Sequence, residues 1–179
     1  EKAGTILWSY YAGMESGTAL AGILAGRINP SGKLAETFPR VYEDTPTGHN
    51  GQFGRDDMVC YEEEIMVGYR HYEKNDILPM FCFGHGLSYT EFAYHDLQVK
   101  QDNDAKDRVS ISFDIENVGQ IDGREIVQIY VRDEECTVIR PEKELKAFKS
   151  ITLKAGSVCR VEITLDSMAF SFYDEKKHD

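Results

Sequence analysis

The sequence predicts a mixed fold: the closing strand–helix–strand piece of an α/β sheet, followed by an immunoglobulin-like (fibronectin type III-like) β-sandwich. Three observations carry this. A β-branched and aromatic run at 5–11 is followed by a small-residue helical stretch and a second extended run. Beyond residue 92 the apolar positions alternate with polar ones at period two. Between these halves lies a polar, glycine-containing segment with no apolar periodicity. The predicted divisions are 1–40 for the α/β piece, 41–91 for a linker and interdomain segment, and 92–179 for the β-sandwich.

The run at 5–11 (TILWSYY) reads as a buried strand that Ala12 and Gly13 break. Ser16 is the expected N-cap of a helix over 17–25, whose Ala19, Ala21 and Ala25 permit close packing, and Gly26 ends it. Asn29-Pro30-Ser31-Gly32 carries turn chemistry, and 33–38 resumes an extended course. Residues 40–60 read as a long irregular connection. Seven aromatics then crowd into 61–92 (Tyr61, Tyr69, Tyr72, Phe81, Phe83, Tyr89, Phe92), a density that points to an interface or a loop-built core.

In the second half, Val109, Ile111, Phe113 and Ile115 alternate with Ser110, Ser112, Asp114 and Glu116. Val127, Ile129 and Val131 repeat the pattern, as do Val161, Ile163 and Leu165. Leu97–Val99 and the segment holding Leu145, Phe148, Ile151 and Leu153 complete five strands. A sandwich of this style has about seven, so the reading expects the module to lack its last strand, with no strand over 171–179. The charged runs at 102–108 and 175–178 read as solvated loops.

Composition narrows the function. A net charge of -11 opposes a phosphate backbone as partner, and no apolar run reaches the ~20 residues of a membrane span. No signal-peptide pattern occupies 1–30, and the opening Glu1 suggests a true start upstream. The even count of cysteines (Cys60, Cys82, Cys136, Cys159) leaves a disulfide framework open. Cys82 and Cys159, however, fall in apolar stretches where a free thiol packs as a small hydrophobe. Reduced cysteines fit a cytoplasmic, bacterial-like setting, with secretion the open alternative.

Few residues present themselves for chemistry. Glu15 occupies a strand–loop–helix position where α/β proteins build sites; the plainer reading is a carboxylate beside a helix N-terminus. The three acids Glu62, Glu63 and Glu64 are read as surface, with one of them pairing Arg70. His85, between Gly84 and Gly86, is read as a ring packed in a tight loop. Ser16 stands at the wrong position for a nucleophile elbow, and no metal-ligand spacing occurs.

The motifs add a resemblance. Residues 10–39 (YYAGMESGTALAGILAGRINPSGKLAETFP) resemble the end of the α/β sandwich domain of family-3 glycoside hydrolases, the β-glucosidase family. Residues 67–72 (VGYRHY) and 83–94 (FGHGLSYTEFAY) resemble that family's passage into its fibronectin type III-like domain. Residues 123–133 (GREIVQIYVRD) and 140–157 (RPEKELKAFKSITLKAGS) resemble the domain itself. The resemblance implies a retaining hydrolase with no cofactor and two carboxyl groups about 5–5.5 Å apart. The nucleophile aspartate belongs to a (β/α)8 barrel and the acid/base glutamate to an upstream part of the sandwich domain. Neither matches a position here, so no catalytic residue is assigned and Glu15 stays the weak candidate. The implied partners are the remaining polypeptide of the same enzyme and, through it, a β-glycoside substrate. Residues 13–18 and 69–72 are expected to seat the two domains on each other. The sequence departs from the family pattern at Glu64 and Ala147, where glycine is common, and at Cys82, where proline is usual. The competing function is a stand-alone module that binds carbohydrate or protein through the aromatics of 61–92.

Overall fold

A computed structural model describes residues 3–51, 60–101 and 108–174. The β-sandwich forms as the alternation predicts. Strands β1 (Phe92–Gln101), β2 (Val109–Asn117) and β5 (Val158–Leu165) make one antiparallel sheet in the order β1-β2-β5. Strands β3 (Gly123–Val131) and β4 (Glu144–Leu153) pair antiparallel as the second sheet. Ile111, Phe113 and Ile115 of β2 meet Val127 of β3, Ile151 and Leu153 of β4, and Val161 and Leu165 of β5 in one core. Each inward residue is the apolar member of its alternating pair, so burial follows directly from the period of two. Ala169, in a 3-10 turn over Ser167–Ala169, closes one end. Residues 171–174 form no strand; residues 102–107 and 175–178 of the charged runs lie outside the described residues.

The N-terminal half departs from expectation in its details. Helix α1 covers Ser16–Leu24, so Ser16 is its first residue and Glu15 its N-cap, with no side-chain cap bond. Residues 5–11 are exposed and form no strand. A lone strand cannot satisfy its amides, and no neighbour among the described residues pairs with it. Its tryptophan instead sets its edge on Phe38, ring centroids 5.2 Å apart. Residues 29–32 form no turn. The Asn29 side chain is instead tied to three distant groups, which overrides local turn preference. The run at 33–38 pairs loosely with 80–85, through one bridge, Phe38 to Phe81, and an exchange in which Leu34 N–H donates to His85 O and Gly84 N–H to Leu34 O.

The segment read as irregular holds a 3-10 turn (Tyr42–Asp44) and a short helix α2 (Pro46–His49), capped by Thr45 Oγ1 accepting from Gly48 N–H at 3.1 Å. Residues 52–59 of it lie outside the described residues. A third helix, α3 (Tyr69–Lys74), interrupts the aromatic stretch. Six residues are too few to display a helical period, which is why the pattern hid it.

Glu64, in the turn before α3, has φ +50. Left-handed backbone costs an L-residue about 1–2 kcal/mol, and the entropy of an unfolded glycine returns about half of that. Glu64→Gly is therefore expected to stabilise the chain by about 0.5 kcal/mol in urea unfolding; a fall in midpoint would refute the strain.

Candidate domain seam

The polar residues that sequence reading could not assign gather where the N-terminal half meets the β-sandwich. Asn29 Oδ1 accepts from Ser88 Oγ (2.9 Å) and Tyr89 N–H (2.8 Å), while its Nδ2 donates to Asp122 O (3.1 Å). Lys33 Nζ donates to Gly86 O (2.8 Å) and pairs with Glu125 of β3 (3.2 Å). Tyr89 OH reaches back to Ile23 O in α1 at 2.9 Å. A side chain on Gly86 would collide with the Gly32 carbonyl, so the close approach of these two runs requires glycine there. Glu125 also faces Tyr94, whose hydroxyl is pushed up to about 12 by burial and then by that carboxylate.

A second cluster joins α3 to β4. Tyr69 OH accepts from Leu145 N–H (2.8 Å), Arg70 pairs with Glu144 (3.1 Å) and Glu73 with Lys143 (2.7 Å). Arg70 thus bonds across the seam to Glu144, and none of Glu62–Glu64, which sit in the turn ahead of the helix, is its partner. Glu144 also receives Arg140 Nη2 (2.5 Å) and Lys146 (3.4 Å), so three cations surround one carboxylate. Burial alone would raise its pKa; the bonds from Arg140 and Lys146 and the charge of Arg70 outweigh that and hold it below the ordinary carboxylate value. The Tyr69 ring packs on Phe83 (5.1 Å) and Tyr130 (5.8 Å).

The third cluster is the entry to the sandwich. Asn117, fully buried at the end of β2, accepts from Thr90 Oγ1 (2.6 Å) and Gly119 N–H (3.2 Å) and donates to Ile121 O (2.9 Å) and Leu153 O (3.3 Å). One amide therefore ties the loop after FGHGLSY, the β2–β3 turn and β4 together.

Both halves of the chain match known families. The family model for the glycosyl hydrolase family 3 C-terminal domain matches residues 1–89, and that for the fibronectin type III-like domain matches residues 125–179. The chain belongs to glycoside hydrolase family 3. Thermostable β-glucosidase B of Acetivibrio thermocellus is 46% identical over 180 residues, covering 100% of this chain and 24% of that protein. Probable β-glucosidase K of Emericella nidulans is 44% identical over 97% of the chain and 20% of its own length. Among solved structures, β-glucosidase 3B of Thermotoga neapolitana, in complex with α-D-glucose, superposes with a TM-score of 0.84 at 38% identity over 92% of this chain and 23% of that one. The GH3 β-glucosidase of Bifidobacterium adolescentis gives 0.85 at 36% identity, over 92% and 24%. The chain spans about a quarter or less of the length of these relatives.

Against this family background the sequence-derived candidates fall as follows. Glu15 is exposed at the helix N-terminus, its carbonyl accepting from Ala19 N–H. The His85 ring lies against Phe81, centroids 5.2 Å apart, and its backbone is bonded at both ends. Cys82 is exposed, contrary to the apolar packing expected of it, because it borders a cleft at the seam; Cys159 is half-buried against the core. All four cysteines are free thiols. Among the described residues no group of three or more His, Cys, Asp or Glu could hold a metal, and no helix is long and apolar enough to cross a membrane. The residues that sequence reading missed left one signal: Asn117 occupies the inward phase of Ile111, Phe113 and Ile115, so a polar side chain was due in the core.

His71 of α3 is 4% exposed and pins the 42–49 segment. A carbonyl can only accept, so Nε2–H donates to Asp44 O (3.1 Å), and Nδ1 must then accept from Asn75 Nδ2 (3.2 Å). Burial lowers its pKa below 6.5; the Asp44 carbonyl raises it in part, and His49 and Lys74 lower it further. The unfolded chain thus takes up this proton first. Stability contributed by neutral His71 is complete above about pH 6.5 and is lost as pH falls through that value toward the lower folded one. Urea midpoints measured from about pH 8 to 5 are expected to decline in that window, and His71→Gln to remove this part of the decline. An equal slope in both proteins would exclude His71 as its source.

Proposed function

We propose that this chain is the non-catalytic, C-terminal-type portion of a retaining β-glucosidase that hydrolyses terminal β-D-glycosidic bonds, and that it stabilises the catalytic domains. The observation that carries the reading is the seam, where the runs shared with the family supply the cross-links: Asn29 and Lys33 from one, Tyr69 and Arg70 from another, Glu125 and Glu144 from the sandwich. The names of the relatives support the β-glucosidase activity. The proposed partner is the remaining polypeptide of the same enzyme, its barrel and the rest of its sandwich domain. That polypeptide would cover the apolar surface of Ile6, Trp8, Tyr10, Tyr11 and Met14, in which Trp8 is 54% exposed. The substrate would reach the enzyme as a whole, not this chain. The four free thiols support a reducing, cytoplasmic setting.

The stand-alone binding reading finds less support, since Tyr72 is buried and Tyr69, Phe81 and Phe83 are half-buried within the chain. The purified chain is expected not to hydrolyse nitrophenyl β-glucoside, and to do so in complex with the remaining polypeptide. Turnover by the chain alone that disappears in Glu15→Gln would place the chemistry here and end the proposal.

A further inference from the structure

The two layers of the β-sandwich are unequal, with three strands in one sheet and two in the other. Lys149 of β4 donates to Glu162 O of β5 (3.2 Å), so β4 lies on the β5 side. Strand β3 instead meets the start of β1, where Tyr94 faces Glu125 and Gly123 lies against Phe92. The free edge of β3 therefore points toward the rest of β1, and that remainder has no cover. Val99 stands opposite Ile111 in the ladder, so it faces inward. Gln98 stands opposite the outward Ser112, which puts Leu97 on the inward face with Val99. Both hold core positions, yet Leu97 is 68% and Val99 63% exposed.

The free edge and the bare face call for one occupant. In a ladder with β4 alone, about half of the β3 N–H and C=O groups point the other way. Among the described residues nothing else bonds to that backbone. The edge also lacks the Lys or Pro that guards exposed strands. A strand added about 4.8 Å beyond β3 would take those bonds and lie over Leu97 and Val99. A second copy of this chain cannot supply it. Two β3 edges paired about a two-fold axis leave no width beneath them for two β1 strands, which would collide. The relatives do carry further polypeptide, since this chain spans about a quarter or less of each. We propose that one extended segment of the remaining polypeptide of the same enzyme, apolar at alternate positions, adds to β3 and buries Leu97 and Val99. The proposal rests on the partner reading above and concerns a surface separate from that around Trp8.

Binding of the full chain to the remaining polypeptide, followed by calorimetry and by amide hydrogen exchange, tests this. Leu97→Glu and Val99→Glu should leave the urea midpoint of the chain alone unchanged, because both sites are exposed there. Each should weaken binding by about tenfold or more, since a carboxylate would have to be buried beneath the added strand. Val158→Glu alters a similarly exposed side chain on the outer face, opposite Glu116, and should keep the unaltered affinity. The β3 amides turned away from β4 should exchange more slowly in the complex. Binding that Leu97→Glu and Val99→Glu leave intact, or that Val158→Glu weakens as much, overturns the proposal. So do β3 amides that exchange unchanged in the complex. A dimer of the chain alone that Val99→Glu disrupts would assign the edge to a second copy and overturn it too. An unaltered chain that fails to bind at all overturns the partner reading as well.

Discussion

Asn117→Ala is expected to destabilise the β-sandwich by about 3–4 kcal/mol, lowering its melting temperature by roughly 10 °C. The residue is 0% exposed, and its amide makes four hydrogen bonds. Each is worth only about 1 kcal/mol net, but truncation strands Thr90 Oγ1 and the Leu153 carbonyl away from water and unpairs the part-buried Gly119 N–H and Ile121 carbonyl, and the desolvation penalty dominates. The loss should appear as a lower urea midpoint with unchanged slope, since the folded surface is preserved. Thr90→Val removes one of the same bonds, so the double variant should lose less than the sum of the two, by about 0.5–1 kcal/mol. Simple additivity would mean that the Thr90 bond, at 2.6 Å, contributes nothing to coupling the entry loop to β2.

Glu144→Ala is expected to cost about 2–4 kcal/mol, more than loss of any other ion pair among the described residues. Glu144 side-chain exposure is 16% and that of Arg140 is 10%, so removing the carboxylate leaves a nearly buried guanidinium with only Asp133 at 3.9 Å and the Phe172 ring. Arg132–Glu142, at 65% and 55% exposure, is the contrast: water screens it, and Glu142→Ala should change stability by under about 0.5 kcal/mol. The pH dependence follows from the lowered Glu144 pKa. Its stabilisation is complete above the ordinary carboxylate value of 4.5 and is lost as pH falls below it toward the folded value. Glu144→Gln should flatten the acid limb of the stability curve. If its acid limb matches that of the unaltered chain, the three cations do not act through this carboxylate.

The β-sandwich was legible because alternation is a local pattern with a global consequence. Val109 to Ile115 must face one side, whatever lies opposite, and the five expected strands all form. The helix near Gly17 was legible for a similar reason, its alanines and the Gly26 stop being local signals. The failures share one cause. A strand at 5–11, a turn at 29–32 and an ion pair from Glu62–Glu64 to Arg70 were each inferred from neighbours in sequence. Each was settled by a partner far away: Phe38 for Trp8, Ser88 and Asp122 for Asn29, Glu144 for Arg70.

By itself, then, the sequence determined the order of the two modules, the core-facing residues of the second and, through its motifs, the family. The tertiary structure decided which polar side chains join the modules. Hydrophobic periodicity is written along a single segment, whereas Lys33 and Glu125, or Tyr69 and Leu145, meet only after loops of dozens of residues have closed. A hydrogen bond needs its two atoms within about 3 Å, and no local pattern specifies that proximity.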